Sequence, residues 1–318
     1  MTEITARRGR SFIESQQAVD DGMLEEIFRL ASKYKRERQG DCLRGKRVGM
    51  IFYEPSTRTR FSFEAAVDRL GGTHSGTENA REFSSAIKGE KLEHSMRVIS
   101  SYVDAIVLRH YEDNAAQVAR DYLESFGIDV PVINAGCGKG QHPTQALQDW
   151  FTIREIFGRT KNLRIVVGGD LKRGRTARSL AYLFGREEGI HFDFVSPVQL
   201  AMEADILAYL HRHQTSFEQH RSLDDVIGKA DLVYLTRTQK ERADGTPEVG
   251  EKDAEPVRMT VARAKLLLSH ARVMHPMPIT DEVEESVDRM SQNQYFEQSD
   301  NGVPVRMALF DILLNTAA

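Results

Sequence analysis

Cysteine is scarce: Cys42 and Cys137 are the only two among 318 residues, and no close spacing pairs them. That excludes a disulfide framework and fits a reducing compartment, so a cytoplasmic location is the expectation. Long apolar runs are missing too. No stretch reaches the ~18 residues a membrane span needs, and the opening MTEITARRGRSF lacks the apolar centre of a secretory leader. Neither membrane insertion nor secretion is expected. Nor is one sign of charge in excess, since 43 Lys and Arg against 47 Asp and Glu leave a formal charge of -4. A nucleic-acid binder relying on bulk attraction is excluded, and any small anion must be held by local cations. The ten histidines fall in no Cys-x-x-Cys or His-Glu-x-x-His spacing, so no metal or other cofactor is expected.

What is present is the balance of a globular chain, 40% hydrophobic and 28% charged, long enough for two ordinary domains. Apolar residues Met23, Leu24, Ile27, Leu30 and Ala31 recur at helical spacing from Gly22 to Arg36. Lys46–Tyr53 then reads as a strand, with a helix carrying Phe61, Phe63, Ala66, Val67 and Leu70 up to Gly71-Gly72. The alternation continues with a helix around 92–101, strand 105–109, helix 114–125, strand 130–134 and a long helix 143–157. A second series starts at Leu163 with a strand, helix 175–184, strand 191–196, helix 205–211 and strand 231–236. Such a pattern predicts an α/β fold of two doubly wound domains with parallel sheets. The polar stretch Glu241–Val257, rich in Gly and Pro, reads as a mobile loop suited to a lid. The chain ends in a helix, Val305–Leu314, read as amphipathic.

Ser56-Thr57-Arg58-Thr59-Arg60 lies where a strand hands over to a helix, so free backbone N–H groups and the positive helix end favour an anion there. Two hydroxyls and a bidentate guanidinium can surround a phosphate. The plainer alternative is an N-cap serine followed by solvated arginines. Other clusters also sit at strand ends, where open α/β sheets place ligands. Arg109 follows the apolar run Ala105–Leu108, and His142-Pro143-Thr144-Gln145 opens a helix after the turn Gly136–Gly140. The glycines of that turn fall at every second position, so the GxGxxG spacing of a dinucleotide site is absent.

The blocks Phe52–Arg60, Asn134–Gly136, His142–Gln145, Gly169–Lys172, Gly174–Thr176, Thr236-Arg237, Gln239–Arg242 and His275-Pro276-Met277-Pro278 resemble the aspartate carbamoyltransferase family, in order, over residues 10–315. The resemblance implies transfer of the carbamoyl group of carbamoyl phosphate to the α-amine of L-aspartate, a step of pyrimidine biosynthesis. It also implies a carbamoyl phosphate-binding domain at 1–150, completed by a C-terminal helix at about 292–318, an aspartate-binding domain at 151–291, and an active site in the cleft between them. Ser56, Thr57, Arg58 and Thr59 would hold the phosphate, while Thr59, Arg109 and His142 would face the carbonyl oxygen. Gln145 and the backbone at Pro276 and Met277 would hold the carbamoyl NH2. Ser84 and Lys88 would reach in from a neighbouring subunit of a homotrimer, and Lys88, Arg175, Arg237, Gln239 and Met277 would bind aspartate. Within this set Arg58, Thr59, Lys88, Arg109 and His142 are the expected catalytic groups. Glu54 would pair with Arg175 and Arg242 to favour a closed state. Regulatory chains or other pathway enzymes are compatible further partners.

Physical reasoning supports the same set. One phosphate and two carboxylates call for several fixed cations, and Arg58, Lys88, Arg109, Arg175 and Arg237 supply them. Each has a plainer reading: a lone His at a helix start is commonly a cap, Arg175 and Arg237 could be solvated charges, and Lys88 is an ordinary loop lysine. Three features depart from the family pattern, one of them the acidic loop after Arg242. Ile279 stands where an Arg usually follows His-Pro-Leu-Pro, and Arg173 stands where Tyr is common. The rivals are a sister transcarbamylase with another amine acceptor and a silent scaffold of the same fold. His275-Pro276-Met277-Pro278 in place of His-Cys-Leu-Pro speaks against an ornithine enzyme. The retained cations speak against a scaffold, because desolvated arginines without an anion are costly.

Overall fold

The computed structural model describes residues 11–20, 22–83, 88–138, 140–238 and 250–315. Its contacts divide the chain into two units, Met1–Phe151 with Asn301–Ala318, and Thr152–Asp300.

The first unit is built on four parallel strands, β1 (Arg47–Phe52), β2 (Thr73–Glu78), β3 (Ala105–His110) and β4 (Val132–Cys137), in the order β2-β1-β3-β4. Near-continuous apolar runs suit β1, β3 and β4, which are buried on both faces. One face, with Ile51, Ile106, Leu108 and Val132, shares a core with α3 (Leu92–Ile99) and α4 (Ala115–Ser125). The remaining long helices of this unit are α1 (Leu24–Glu37), α2 (Thr57–Arg69), α5 (Pro143–Phe157) and α8 (Gly302–Leu314). They meet through aromatic side chains: Phe28 on Trp150 and Phe151, and Phe63 on Phe310. Helix α8 packs against both α1 and α2. It is not amphipathic as expected. Neighbours cover it nearly all round, and even Arg306 and Asp311 on it are buried.

The second unit carries five parallel strands, β5 (Arg164–Gly169), β6 (His191–Val195), β7 (Ser216–His220), β8 (Leu232–Thr236) and β9 (Arg272–Met274), in the order β7-β6-β5-β8-β9. Its long helices are α6 (Arg175–Phe184) and α7 (Ala204–Arg212). Strands β2 and β7 have no counterpart in the periodicity because THSGTE and SFEQH are polar. Each is an edge strand with an exposed pattern, so no apolar run is required of it. In β2 the glycine is obligatory, since a Cβ at Gly76 would lie 1.9 Å from the Met50 carbonyl oxygen of β1. Of the stretch 241–257 read as a lid, residues 241–249 lie outside the described residues. Residues Glu251–Ala254 and Glu255–Val257 form helical turns, with Val257 in the core of the unit.

Both sheets have a topological switch point. The chain runs from β1 to β2 and then crosses back to β3, and it runs from β5 through β6 to β7 and then back to β8. Crevices open beyond the carboxyl ends of the strands at such points, between β1 and β3 and between β5 and β8.

Candidate active site

Each switch point is lined by residues singled out above. In the first unit Phe52, the last residue of β1, is in register with Arg109 of β3, and the Tyr53 N–H donates to the Arg109 carbonyl at 2.8 Å. The Arg109 side chain is buried and aligned by acceptors on β4 and in the bend after β1. Its Nε donates to the Glu54 carbonyl and its Nη1 to the Ala135 carbonyl, both at 3.2 Å, while Nη2 lies 3.1 Å from the Glu54 carboxylate. A guanidinium so fixed is a preorganised cation. Glu54 pairs with Arg109 inside its own unit, and Arg242, one of its two expected partners, lies outside the described residues.

Ser56 takes the N-cap position of α2 but makes no side-chain cap; its Oγ donates instead to Thr59 Oγ1 at 3.0 Å. The plain capping alternative therefore fails, and the first-turn N–H groups are not satisfied by this hydroxyl. Thr57 and Arg58 are exposed at the helix start. Arg60 is a structural cation, since its Nε bonds Glu64 at 2.7 Å. Within β4, Asn134 fixes the local backbone by donating to the Ile13 carbonyl and accepting from the Gly136 N–H. His142 is buried just ahead of Pro143, the first residue of α5. Gln145, one turn inside α5, is buried and donates to Asp149 at 2.8 Å. Lys88 is exposed, and Ser84 lies outside the described residues.

In the second unit Arg175 opens α6 and is buried. Gly169 at the end of β5 has φ +111, and a Cβ there would lie 1.9 Å from the Thr236 carbonyl oxygen, so only glycine fits against β8. A cavity of about 650 Å³ opens here, lined by Gly169, Thr236, Arg237, Arg258 and Glu282 among others. Arg237 comes from the residue after β8, with its Nη1 on the Thr238 carbonyl. Gln239 and Arg242 lie outside the described residues. Arg173 is buried beside the buried Asp170, at 3.8 Å, so this departure supplies a core ion pair. Ile279 packs against the apolar core of the unit. The side chain that replaces the expected Arg is thus accounted for by burial.

Met277 holds φ 58, a left-handed conformation unusual for a non-glycine residue and typical of functional segments. Its N–H donates to His275 Nδ1 at 2.9 Å, which puts the ring proton on Nε2, 2.8 Å from the Glu282 carboxylate. Burial raises the Glu282 pKa, but the His275 and Thr280 hydrogen bonds outweigh it and hold the carboxyl at about 2, well below its ordinary 4.5. A depressed carboxylate pKa stabilises the fold above the unfolded-state value, and that contribution disappears as pH falls from about 4.5 towards 2. Glu282→Gln is expected to cost on the order of 3 kcal/mol at pH 7. Melting curves should show the gap between variant and parent closing as pH approaches 2; a constant gap would contradict this role.

Sequence reasoning missed the Asp149, Arg258 and Glu282 contributions. Only helical spacing linked Gln145 to Asp149, and nothing in the sequence brings 258 or 282 to the end of β8. It also missed a cluster at the far side of the second sheet, where His191, Asp193 and Glu218 bring ligand-type atoms within 4.8 Å of one another. Asp193 is already held by Arg164 at 2.6 and 2.9 Å and by His220 at 2.9 Å. A guanidinium spanning both carboxylate oxygens disfavours a dication, so the cluster reads as an ion-pair network. No helix among the described residues is long and apolar enough to cross a membrane.

Residues 10–155 match the family model "Aspartate/ornithine carbamoyltransferase, carbamoyl-P binding domain", and residues 161–313 match "Aspartate/ornithine carbamoyltransferase, Asp/Orn binding domain". The chain is 44% identical over 306 residues to the chloroplastic aspartate carbamoyltransferase 1 of Pisum sativum, covering 95% of this chain and 78% of the relative. It is also 44% identical over 311 residues to the chloroplastic aspartate carbamoyltransferase of Oryza sativa subsp. japonica, covering 95% and 84%. The aspartate transcarbamoylase of Trypanosoma cruzi, solved with carbamoyl phosphate and aspartate, superposes with a TM-score of 0.87 at 33% identity, covering 97% of this chain and 96% of that one. The chloroplastic relatives overturn the cytoplasmic expectation. Unpaired cysteines report a reducing environment, and that property does not single out one compartment.

Proposed function

This chain belongs to the aspartate/ornithine carbamoyltransferase family, and from that premise we infer that it transfers the carbamoyl group of carbamoyl phosphate to the α-amine of L-aspartate, giving N-carbamoyl-L-aspartate and phosphate. The family implies a step of pyrimidine biosynthesis. The observation that carries the reading is Arg109, a buried guanidinium fixed by Glu54 and Ala135 at the β1/β3 switch point, next to a helix start whose serine does not cap it. A different amine acceptor is not favoured, because relatives spanning nearly the whole chain are aspartate enzymes.

In this reading the phosphate sits on the first turn of α2, held by Ser56, Thr57, Arg58 and Thr59. The attacking amine forms a C–N bond at the carbamoyl carbon, and the C–O bond to phosphate breaks. Negative charge grows on the carbonyl oxygen as the tetrahedral intermediate forms, facing Arg109, His142 and Thr59. Gln145 and the Pro276-Met277 backbone take the NH2 group. Arg175, Arg237 and Gln239 take the aspartate carboxylates. The departing phosphate accepts the proton lost by the amine, so no protein base or covalent nucleophile is needed and positioning carries much of the rate.

Ser84 and Lys88 complete the site from a neighbouring subunit, which makes the enzyme a homotrimer with shared sites. One preparation tests both parts. Purified protein, sized by light scattering, should run as a trimer and release carbamoyl aspartate and phosphate in equal amounts. A folded trimer without product would sink the reaction, and an active monomer would sink the shared site.

A further inference from the structure

Gln145 is oriented by a residue outside the substrate contacts named above. Its Nε2 donates to Asp149 Oδ1, one turn further along α5, and both side chains are buried. An ionised carboxylate can only accept, so the amide must turn its NH2 towards Asp149 and its oxygen away. Among the described residues Oε1 accepts no hydrogen bond, and it is not among the sealed polar atoms that lack a partner. The result is a polarised amide, with its donor side occupied and its acceptor side open.

A buried cation of α8 lies within electrostatic reach of this carboxylate. Arg306 is fully buried, 4.9 Å over the Phe63 ring, with Nη1 on Gln148 Oε1 at 3.2 Å. Burial pushes its pKa down to about 10 and the Asp149 charge pulls it up, so it remains a cation at neutral pH. A buried anion close to a buried cation costs far less than either alone.

We propose that Asp149 is a positioning residue that locks the Gln145 amide with Oε1 presented to the carbamoyl NH2 of carbamoyl phosphate. This rests on the assignment of Gln145 made under the proposed function. The carbamoyl group differs from an acetyl group in carrying two N–H donors in place of a methyl. A locked acceptor therefore selects the carbamoyl compound, whereas an amide turned the other way would set donor against donor. The chemistry recognised is an N–H donor on an acyl phosphate, and no phosphate contact is involved.

The test compares binding of carbamoyl phosphate and acetyl phosphate by calorimetry in the trimeric enzyme. Removing both buried charges together, in Asp149→Leu/Arg306→Met, avoids stranding one of them. The freed Gln145 side chain should weaken carbamoyl phosphate roughly tenfold through regained rotamer freedom, with acetyl phosphate changed less than about twofold. Asp149→Asn, which can still accept but no longer forbids the reversed amide, should cost only about twofold; this conservative variant serves if the double variant does not fold. In a Gln145→Ala background both effects should vanish. Equal weakening of the two acyl phosphates, no weakening of either, or an effect that persists without Gln145 would each overturn the proposal. Parent enzyme that forms no carbamoyl aspartate would instead overturn the function, a separate readout.

Discussion

Replacing Arg109 with alanine should lower kcat by about 10²–10³, the usual penalty for losing one preorganised donor to a developing oxyanion, and leave the KM for aspartate nearly unchanged. The split follows from where the side chain sits. Arg109 is locked by the Glu54 and Ala135 carbonyls and by the Glu54 carboxylate before substrate arrives, so it does not reorganise as charge develops. The variant also removes the guanidinium beside the Glu54 carboxylate, so its melting temperature should be recorded beside its rate. Arg109→Lys retains a charge but not the planar fork that reaches acceptors on β4 and after β1, and should recover only part of the loss. Steady-state kinetics on folded Arg109→Ala within threefold of the parent would remove Arg109 from the chemistry.

The second large effect is expected at the other switch point and on the other kinetic constant. Arg237→Ala should raise the KM for aspartate by roughly 10², as expected when one partner of a charge-assisted, partly buried contact is lost. Calorimetry should find carbamoyl phosphate bound as before, because the α2 start and Arg109 belong to the first unit while Arg237 lines the cavity of the second. The reverse pattern, with carbamoyl phosphate weakened and aspartate untouched, would exchange the assigned roles of the two units.

The sequence made legible whatever announces itself locally. Strands β1, β3, β4, β5 and β8 were readable because central parallel strands are apolar on both faces. Arg109 was readable because a charged residue ends an apolar strand, and the α2 start because hydroxyls and arginines gather where strand becomes helix. Edge strands β2 and β7 left no trace, since one open edge and an exposed face demand no hydrophobic period. Contacts distant in sequence were hidden for a different reason. Glu282 turning on His275, or Arg306 reaching Gln148, depends on tertiary packing that neither spacing nor propensity encodes. Ile279 shows the limit of motif reading, because the place of an expected cation is taken by a side chain that joins the core.

Helix α8 has a consequence for how the molecule is made. Residues 152–300 leave the ribosome as one uninterrupted piece and can close their core at once. The stretch before them must wait for Gly302–Leu314, which covers α1 and α2. The core that α1 and α2 share with α8 is therefore completed only after the whole second unit has been made.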